Sequence, residues 1–243
     1  MSAATTVVTT QELPSKPSAP VASVLHTIIL LLILAGGVTL TYFSAGRMRS
    51  AVQPSRVTFY LTTFIWEWIL TTYVLIGVKF HKTSLREITG IPWKSVKDVF
   101  RDIGIGMLFW ICSTLILAIV AHIVGFNGSG PSVRFMAPVG SAETALWILL
   151  AATAGFCEET IFRGYLQKQF IAWTSSPAVG IVLAAAIFGL AHIYQGWRAP
   201  IVIGVYGIMF GALAYYRRST RPGMIAHAWQ DSISGIALKY LPK

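Results

Sequence analysis

Long apolar runs separated by short polar stretches cover most of the chain. They lie at about 23–45, 57–78, 103–125, 144 into a pair of glutamates, 177–194, 200–216 and 223–241. These lengths approach or exceed the roughly 18 residues that a helix needs to cross a bilayer. The pattern therefore predicts an all-α membrane protein, a polytopic bundle of about seven to eight transmembrane helices.

The stretches between the runs differ in character. Residues 1–22 are rich in Ser, Thr, Ala and Pro, which predicts a disordered tail; they lack the basic start of a signal peptide. Residues 80–101 mix Lys and Arg with aromatic residues and leucine, which predicts an amphipathic interfacial linker. The N-terminal transmembrane region is then 23–143, and the C-terminal helical region is 144–243.

Composition supports a membrane location. The chain is 55% hydrophobic and 12% charged, whereas a soluble domain carries about 25% charged residues. The net charge of +10 does not indicate nucleic-acid binding, because the Lys and Arg residues lie between the apolar runs. The two cysteines, Cys112 and Cys157, provide neither a disulfide framework nor metal-ligand spacing.

The distribution of positive charge predicts an orientation. Residues 79–101 carry six Lys or Arg and residues 217–221 carry three, whereas residues 126–143 carry one, Arg134. By the positive-inside rule this favours a cytoplasmic N-terminus and an outside C-terminus. The three arginines of residues 47–56 count against that orientation.

Ionisable residues inside apolar runs are costly and are therefore candidates for function. Seven stand out: Glu67, Glu158, Glu159, Arg163, His192, His227 and Asp231. Glu67 stands alone between two tryptophans, in "FIWEWIL". It is either a structural hydrogen-bonding residue or part of a cavity wall.

The adjacent glutamates of "EETIFR" are expected to have different tasks. Glu159 and Arg163 are four residues apart, so they share a helix face and can form an ion pair. Glu158 is rotated by about 100° from Glu159. Arg163 therefore neutralises Glu159 and leaves Glu158 available as a general base.

The remaining polar residues also occur at helical spacing. Phe188 precedes His192 by four residues in "FGLAH", so its ring can pack beside the imidazole. His227 precedes Asp231 by four residues in "HAWQD". We expect the Asp231 carboxylate to accept a hydrogen bond from His227 and to fix its tautomer.

A turn predicted at "TSSP" brings two of these groups together. Glu158 lies 17 residues before Ser175 and His192 lies 17 after it. An antiparallel helix pair would place them at the same depth. His227 follows a second turn at Arg221 by only six residues, so it can join them only if the first hairpin extends out of the membrane. The expected result is a polar cavity suited to activating water for hydrolysis.

Together, "EETIFR", "FGLAH" and "HAWQD" resemble the EExxxR, FxxxH and HxxxN or HxxxD motifs of the CAAX protease and bacteriocin-processing (CPBP, or Abi) family of intramembrane proteases. The resemblance covers about residues 144–240. It implies a helical membrane fold with a catalytic cavity open to water, and hydrolysis of a peptide bond in a membrane-associated protein or peptide. It further implies the cytoplasmic (inner) membrane of a bacterium.

The resemblance also implies roles. Glu158 and His192 would activate water without a required cofactor, and His227 and Asp231 would occupy the oxyanion-stabilising positions. Asp231 departs from the amide found in CAAX-processing members, and an ionised carboxylate cannot donate to an oxyanion. This weakens the case for a prenylated substrate. Supporting positions would be Glu159, Arg163 and Phe188.

Other readings of the same residues stay open. A divalent ion such as Zn²⁺ could be held by Glu158, His192, His227 and Asp231, although the sequence has no HExxH motif. A non-catalytic scaffold or bacteriocin-immunity protein would keep the fold without the chemistry. A transporter would also place Glu and His within spans, but it would not need the EExxxR order. Intact motifs favour the enzyme.

Overall fold

The computed structural model describes residues 19–45, 55–128 and 130–240. The predicted all-α fold class is confirmed, because these residues form helices and no β-strand. Five helical segments of the described residues are long and apolar enough to cross a membrane: Val24–Ser44, Arg56–Phe80, Val96–Val124, Gly140–Thr174 and Ala199–Arg217.

The α-helices are α1 Val24–Ala45, α2 Arg56–Phe80, α3 Leu85–Thr89, α4 Val96–Val124, α5 Pro131–Met136, α6 Gly140–Glu158, α7 Gln167–Thr174, α8 Pro177–Leu190, α9 Ala199–Arg217 and α10 Arg221–Ala237. A π-helical segment, Glu159–Leu166, joins α6 to α7 without a break. Single 3-10 turns lie at Ile193–Gln195 and Leu238–Tyr240.

Two predicted spans are shorter than their apolar runs. Helix α8 has 14 residues and ends before His192, where the chain enters a 3-10 turn and then Gly196 at φ 123°. Helix α10 has 17 residues and carries His227 and Asp231 along its length. Both therefore fall below the roughly 18 apolar residues that indicate a span. The expected count of seven to eight spans becomes five in the described part of the chain.

Order at the N-terminal end begins earlier than predicted. Residues 1–18 of the expected disordered tail, 1–22, lie outside the described residues. Val21 and Ala22 are buried, and both of their backbone N–H groups donate to the Gln169 side chain, at 2.9 and 3.2 Å. The same side chain donates back to the Ala22 carbonyl at 2.9 Å. A buried glutamine of α7 thus fixes the chain just before α1.

The predicted amphipathic linker, 80–101, is not one continuous element. It contains the end of α2, the short α3 and the first turn of α4. Ser84 caps α3, and its backbone N–H and hydroxyl donate to Glu87, which holds the pKa of that carboxyl below its usual value. Helix α3 packs against the site helices, because Ile88 is fully buried and Thr220 donates its N–H to the Thr89 carbonyl.

Close helix contacts organise the core. Glycines of α9 leave room for polar side chains of the long α6–α7 helix: the Gly207 carbonyl accepts from Arg163 at 3.4 Å, and the Gly211 carbonyl accepts from Gln167 at 3.0 Å. These glycines therefore let α9 pack closely against the α6–α7 helix. Helix α10 packs antiparallel on α6, where Trp147 donates to the Asp231 carbonyl at 2.8 Å.

Large apolar side chains cover the outside of the bundle. Leu32 of α1 is 67% exposed, and Leu108 and Ile123 of α4 are 64% and 75% exposed. Contiguous exposed apolar surface of this kind is rare on soluble monomers. The protein is therefore an integral membrane protein with lipid-facing α1 and α4.

The contact between α6 and α10 predicts a position-specific effect of one methyl group. A Cβ at Gly155 would lie 2.7 Å from the Met224 carbonyl oxygen and 2.9 Å from the Ala228 nitrogen. Those are backbone atoms that cannot rotate away, so Gly155→Ala should destabilise the protein by roughly 1–3 kcal/mol.

Gly104→Ala is the matched control, because a Cβ there meets nothing within 4 Å and alanine favours a helix. The measurement is the thermal unfolding midpoint of the purified variants in detergent. Equal midpoints for the two variants would contradict the close packing of α6 on α10.

Candidate active site

The site begins where the long helix changes its winding. Glu158 is the last residue of α6, and the π-helical segment starts at Glu159 and runs to Leu166. The "EETIFR" motif thus straddles the junction. Wider π turns inside α-helices are rare and frequently occur at functional sites. Residue spacing in the sequence does not reveal this change of winding.

Glu159 and Arg163 form the predicted ion pair. Arg163 Nη1 lies 2.9 Å from Glu159 Oε1, and both side chains are almost fully buried. The N–H groups of Nη1 are not aligned with Glu159 Oε1. The contact is therefore an ion pair without a hydrogen bond. The guanidinium is held between the rings of Phe188, at 4.2 Å, and Phe210, at 4.9 Å.

The two rings explain how a buried arginine is accommodated. Cation–π contact with two desolvated aromatic faces offsets part of the lost hydration, and Nη2 also donates to the Gly207 carbonyl. Phe188 was expected to support His192, and its ring does lie 4.9 Å from the His192 ring. Phe210 has no counterpart in the sequence prediction, because it belongs to none of the three motifs.

His227 joins the site through Glu159. Its Nδ1 donates to Glu159 Oε1 at 3.0 Å, whereas its Nε2 lies 3.6 Å from Glu158 Oε2 and 3.5 Å from Asp231 Oδ2. Asp231 thus lies beside His227, as expected, but the carboxylate that forms a hydrogen bond with the ring is Glu159. The antiparallel packing of α10 on α6 brings His227 and Glu159 together across the helix contact.

Carboxylates therefore face both nitrogens of His227. In the imidazolium form each N–H has an acceptor, with Glu159 at one and Glu158 with Asp231 at the other. Glu159 thus contacts two basic groups, Arg163 and His227. Its negative charge therefore faces two basic groups, whereas the sequence indicated only the pairing with Arg163.

His192 lies directly after α8, beside the same Phe188 ring. Its Nδ1 is 2.8 Å from the Phe188 carbonyl oxygen. A carbonyl can only accept, so Nδ1 carries the proton and Nε2 keeps its lone pair. The Phe188 ring also contacts the His227 ring, at 6.0 Å between centroids. Phe188 thus separates the two imidazoles.

The expected hairpin is present. Ser175 adopts φ 55°, α7 ends at Thr174, and α8 begins at Pro177. Phe162 and Phe188, each 13 residues from Ser175, have ring centroids 5.1 Å apart. The register inferred from equal distances to the turn is therefore observed. Helix α7 continues for two turns beyond the π segment, which lets the start of α10 reach the level of Glu159.

Glu67 is a neighbour of the site that sequence reasoning left isolated. It is 8% exposed, and its carboxyl group interacts electrostatically with Glu158 and Asp231. The sequence feature that could have identified Glu67 is that it is the one acidic residue of α2. Nothing in the spacing of α2 indicates which helix it faces.

Buried polar atoms without a hydrogen-bond donor or acceptor concentrate here. Among the described residues they are Oε2 of Glu67, Glu158 and Glu159, Nη1 of Arg163, Oη of Tyr206 and Oγ1 of Thr71. Native structures contain few such atoms, and each calls for an explanation. Three of these six atoms are carboxylate oxygens of Glu67, Glu158 and Glu159, which makes this region the candidate site.

The metal-dependent alternative stays a prediction. Within residues 19–45, 55–128 and 130–240, no group of three or more His, Cys, Asp or Glu side chains is arranged to hold a metal ion. Nδ1 of His227 is engaged by Glu159. The metal-free hypothesis and the alternative Zn²⁺ ligand set of Glu158, His192, His227 and Asp231 therefore both stay predictions.

The two contacts of Glu159 predict a large loss of stability when its charge is removed. In Glu159→Gln the Arg163 guanidinium stays buried without a counter-charge, which costs roughly 3–5 kcal/mol. The control is Glu143→Gln, at a partly exposed residue in the first turn of α6 that accepts from the Val139 N–H; it should change stability by less than about 1 kcal/mol. Chemical denaturation in detergent measures both, and a Glu159→Gln variant as stable as the control would refute the ion-pair assignment.

Comparison with known proteins places the motifs in a family context. Residues 140–233 match the family model described as "Type II CAAX prenyl endopeptidase Rce1-like". No curated protein and no solved structure gives a significant match. The matched stretch runs from the start of α6 into α10 and contains all three motifs. Residues 140–233 are thus similar to the Rce1-like family, and the resemblance of this stretch to the CAAX protease and bacteriocin-processing family is confirmed.

Proposed function

We propose that the protein is an intramembrane endopeptidase that hydrolyses a peptide bond of a membrane-associated protein or peptide. The observation that carries the proposal is that the adjacent glutamates have different contacts. Arg163 and His227 hold Glu159, while Glu158 Oε2 receives no hydrogen bond and lies 3.6 Å from His227 Nε2. The Rce1-like match over residues 140–233 supports the same reaction class.

In the proposed reaction Glu158 acts as general base on a water molecule. It accepts a proton as the water oxygen attacks the carbonyl carbon of the scissile bond. His192 supports this step, because its Nε2 has a lone pair that can accept a hydrogen bond from the same water. The product of the step is a tetrahedral intermediate with a negatively charged oxygen.

His227 is the proposed donor to that oxyanion. Its Nε2 lies 3.6 Å from Glu158 Oε2, and its Nδ1 donates a hydrogen bond to Glu159. A preorganised donor of this kind stabilises the charge that develops in the transition state. The intermediate then collapses as the C–N bond breaks, and the proton held by Glu158 passes to the leaving amine. The water molecule thus supplies the hydroxyl of the new carboxyl group and a proton of the new amine.

The proposed setting is the cytoplasmic membrane of a bacterium, with a substrate that reaches the site from the bilayer. Asp231 occupies a position where CAAX-processing relatives are expected to carry an amide donor. Its side chain is 36% exposed and lies 3.5 Å from His227 Nε2. We therefore propose a peptide substrate whose recognition does not depend on a prenyl group.

The proposal is tested by comparing membrane proteomes of cells carrying the wild type, Glu158→Gln or Glu143→Gln. A terminal peptide that is produced by the wild type and the Glu143→Gln control, and is lost with Glu158→Gln, supports hydrolysis. The general base contributes about 10²–10⁴-fold to the rate, so the Glu158→Gln signal should approach background. Identical fragments in all three samples would instead support a non-catalytic scaffold.

Asp231 yields a prediction that separates a metal-free from a metal-dependent reaction. Asp231→Asn should keep activity within about tenfold, because an amide can donate to the oxyanion. Asp231→Ala should lose more. Chelator should not inhibit the wild type. The measurement is cleavage by the purified variants of a peptide identified in the proteomic comparison, with and without chelator. A chelator-sensitive wild type with an inactive Asn variant would overturn the metal-free scheme.

A further inference from the structure

Two basic segments of the chain meet at one end of the bundle. Residues 79–102 carry six Lys or Arg, and residues 217–221, which join α9 to α10, carry three. Arg221 connects the segments, because its Nη2 donates to the Gly90 carbonyl at 3.3 Å and its Nη1 donates to the Ile91 carbonyl. The positive charges of both segments therefore form one surface, which we call the basic end.

The three acidic residues of the basic end do not cancel its charge. Glu87 and Asp98 accept from backbone N–H groups at the starts of α3 and α4, and Asp102 is buried. Among the described residues, no carboxylate oxygen lies within 4 Å of the ammonium groups of Lys94 and Lys97. The basic end thus keeps an excess of positive charge toward its surroundings.

A cleft opens in the basic end between α3 and α4. Its volume is about 210 Å³, and it is lined by Ile91, Pro92, Trp93, Lys94, Asp98 and Arg101. The Trp93 ring is held in place, because its Nε1 donates to Asp102 Oδ2 at 2.8 Å and the Arg221 guanidinium lies 5.4 Å from the ring centroid. We call this space the α3–α4 cleft; it has a fixed aromatic wall.

Buried Asp102 draws two arginines together beside the α3–α4 cleft. Arg101 Nε lies 3.4 Å and Arg217 Nη2 lies 3.8 Å from the same carboxylate oxygen, Asp102 Oδ1. The Asp102 side chain is 4% exposed, whereas those of Arg101 and Arg217 are 53% and 37% exposed. Each guanidinium has five N–H donors, so both arginines retain donors for an anion from outside the protein.

Apolar side chains around the α3–α4 cleft indicate which anion it suits. Ile91, Val96 and Phe100 are 61%, 70% and 68% exposed. A soluble phosphate would need only the cations, whereas a phospholipid also brings acyl chains that cover apolar surface. Basic residues interleaved with aromatic and aliphatic ones are typical of segments that lie in the membrane interface.

We propose that the α3–α4 cleft binds the headgroup of an anionic phospholipid. The phosphodiester would contact Lys94 and Arg101, Arg217 would add to the positive potential, and an acyl chain would pass along Val96 and Phe100. The positive-inside rule places the basic end at the cytoplasmic leaflet, which carries anionic lipids. This inference concerns a surface separate from the active site and does not depend on the proposed hydrolysis.

Helix α3 connects the α3–α4 cleft to the site helices. Ile88 of α3 is fully buried, and a Cβ at Gly164 of the π-helical segment would lie 2.6 Å from its Cγ2. Thr89 accepts from the Thr220 N–H at 3.3 Å, where α10 begins. A phospholipid in the cleft would hold the segment between α3 and α4 in its folded position. Its binding should therefore stabilise the protein against unfolding.

The first test is the thermal unfolding midpoint of the purified protein in neutral detergent with added phosphatidylglycerol, phosphatidylcholine or inorganic phosphate. A ligand that binds only the folded state raises the midpoint. Phosphatidylglycerol should raise the wild-type midpoint by at least about 2 °C more than phosphatidylcholine does. Inorganic phosphate at the same concentration should give no comparable shift.

Variants locate the effect. The cleft variant Lys94→Gln/Arg217→Gln should lose about half or more of the shift caused by phosphatidylglycerol. The matched control Lys79→Gln/Arg86→Gln removes one Lys and one Arg from exposed positions of the same basic end, outside the residues that line the cleft. It should keep the shift. If the double cleft variant does not fold, the single variant Lys94→Gln, at an exposed residue, replaces it.

Native mass spectrometry counts bound lipid directly. With an equimolar mixture of phosphatidylglycerol and phosphatidylcholine, the wild type should retain one phosphatidylglycerol in preference. The cleft variant should bind it about tenfold or more weakly, because each cation near an anionic surface strengthens binding by about fivefold. Equal shifts with both lipids, or equal losses in the cleft variant and the matched control, would refute a specific headgroup site. A full shift with inorganic phosphate alone would refute the phospholipid as the ligand.

Discussion

The contact of one buried carboxylate with two basic groups is the interaction on which the site depends. Glu159 lies 2.9 Å from Arg163 Nη1 and 3.0 Å from His227 Nδ1, and almost no part of these side chains reaches solvent. A buried charge without a partner is strongly destabilising. Each of the three groups therefore restricts where the other two can lie. The contact ties α10 to the long α6–α7 helix.

The rest of the architecture can be understood as support for that contact. Phe188 and Phe210 cover the two faces of Arg163, and Gly207 and Gly211 of α9 bring backbone carbonyls to Arg163 and Gln167. Gly223 lets α10 approach, because a Cβ there would lie 3.1 Å from Glu159 Oε2. Small residues at helix contacts permit such close approach in membranes. Backbone and aromatic groups replace the water that these charges lose.

Several features could be predicted from the sequence because they depend on local periodicity. The i,i+4 spacing of Glu159 and Arg163 indicated their pairing, and equal distances from Ser175 indicated the register of the α7–α8 hairpin. The apolar runs indicated the fold class and the positions of most helices. They did not indicate that α8 stops before His192 or that α10 is only 17 residues long, because hydropathy does not show where a helix ends.

Other features could not be predicted because they depend on contacts between distant segments. The π-helical segment is invisible to residue spacing, yet it lies at the junction of the two glutamates. The carboxylate that accepts from His227 Nδ1 is Glu159, 68 residues away, while the nearby Asp231 lies 3.5 Å from Nε2. Glu67 interacts with Glu158 only because α2 packs beside α6. Local periodicity specifies a helix face but not the helix that it meets.

The most direct measurement of the central ion pair is a double-mutant cycle of unfolding free energies. The cycle combines Glu159→Gln, Arg163→Gln and the double variant, each unfolded by denaturant in the same detergent. If the buried charges depend on each other, the double variant should be more stable than the sum of the single effects implies, by at least about 1 kcal/mol. Additive losses would contradict the view that Glu159 and Arg163 act as one unit and that the site is built around them.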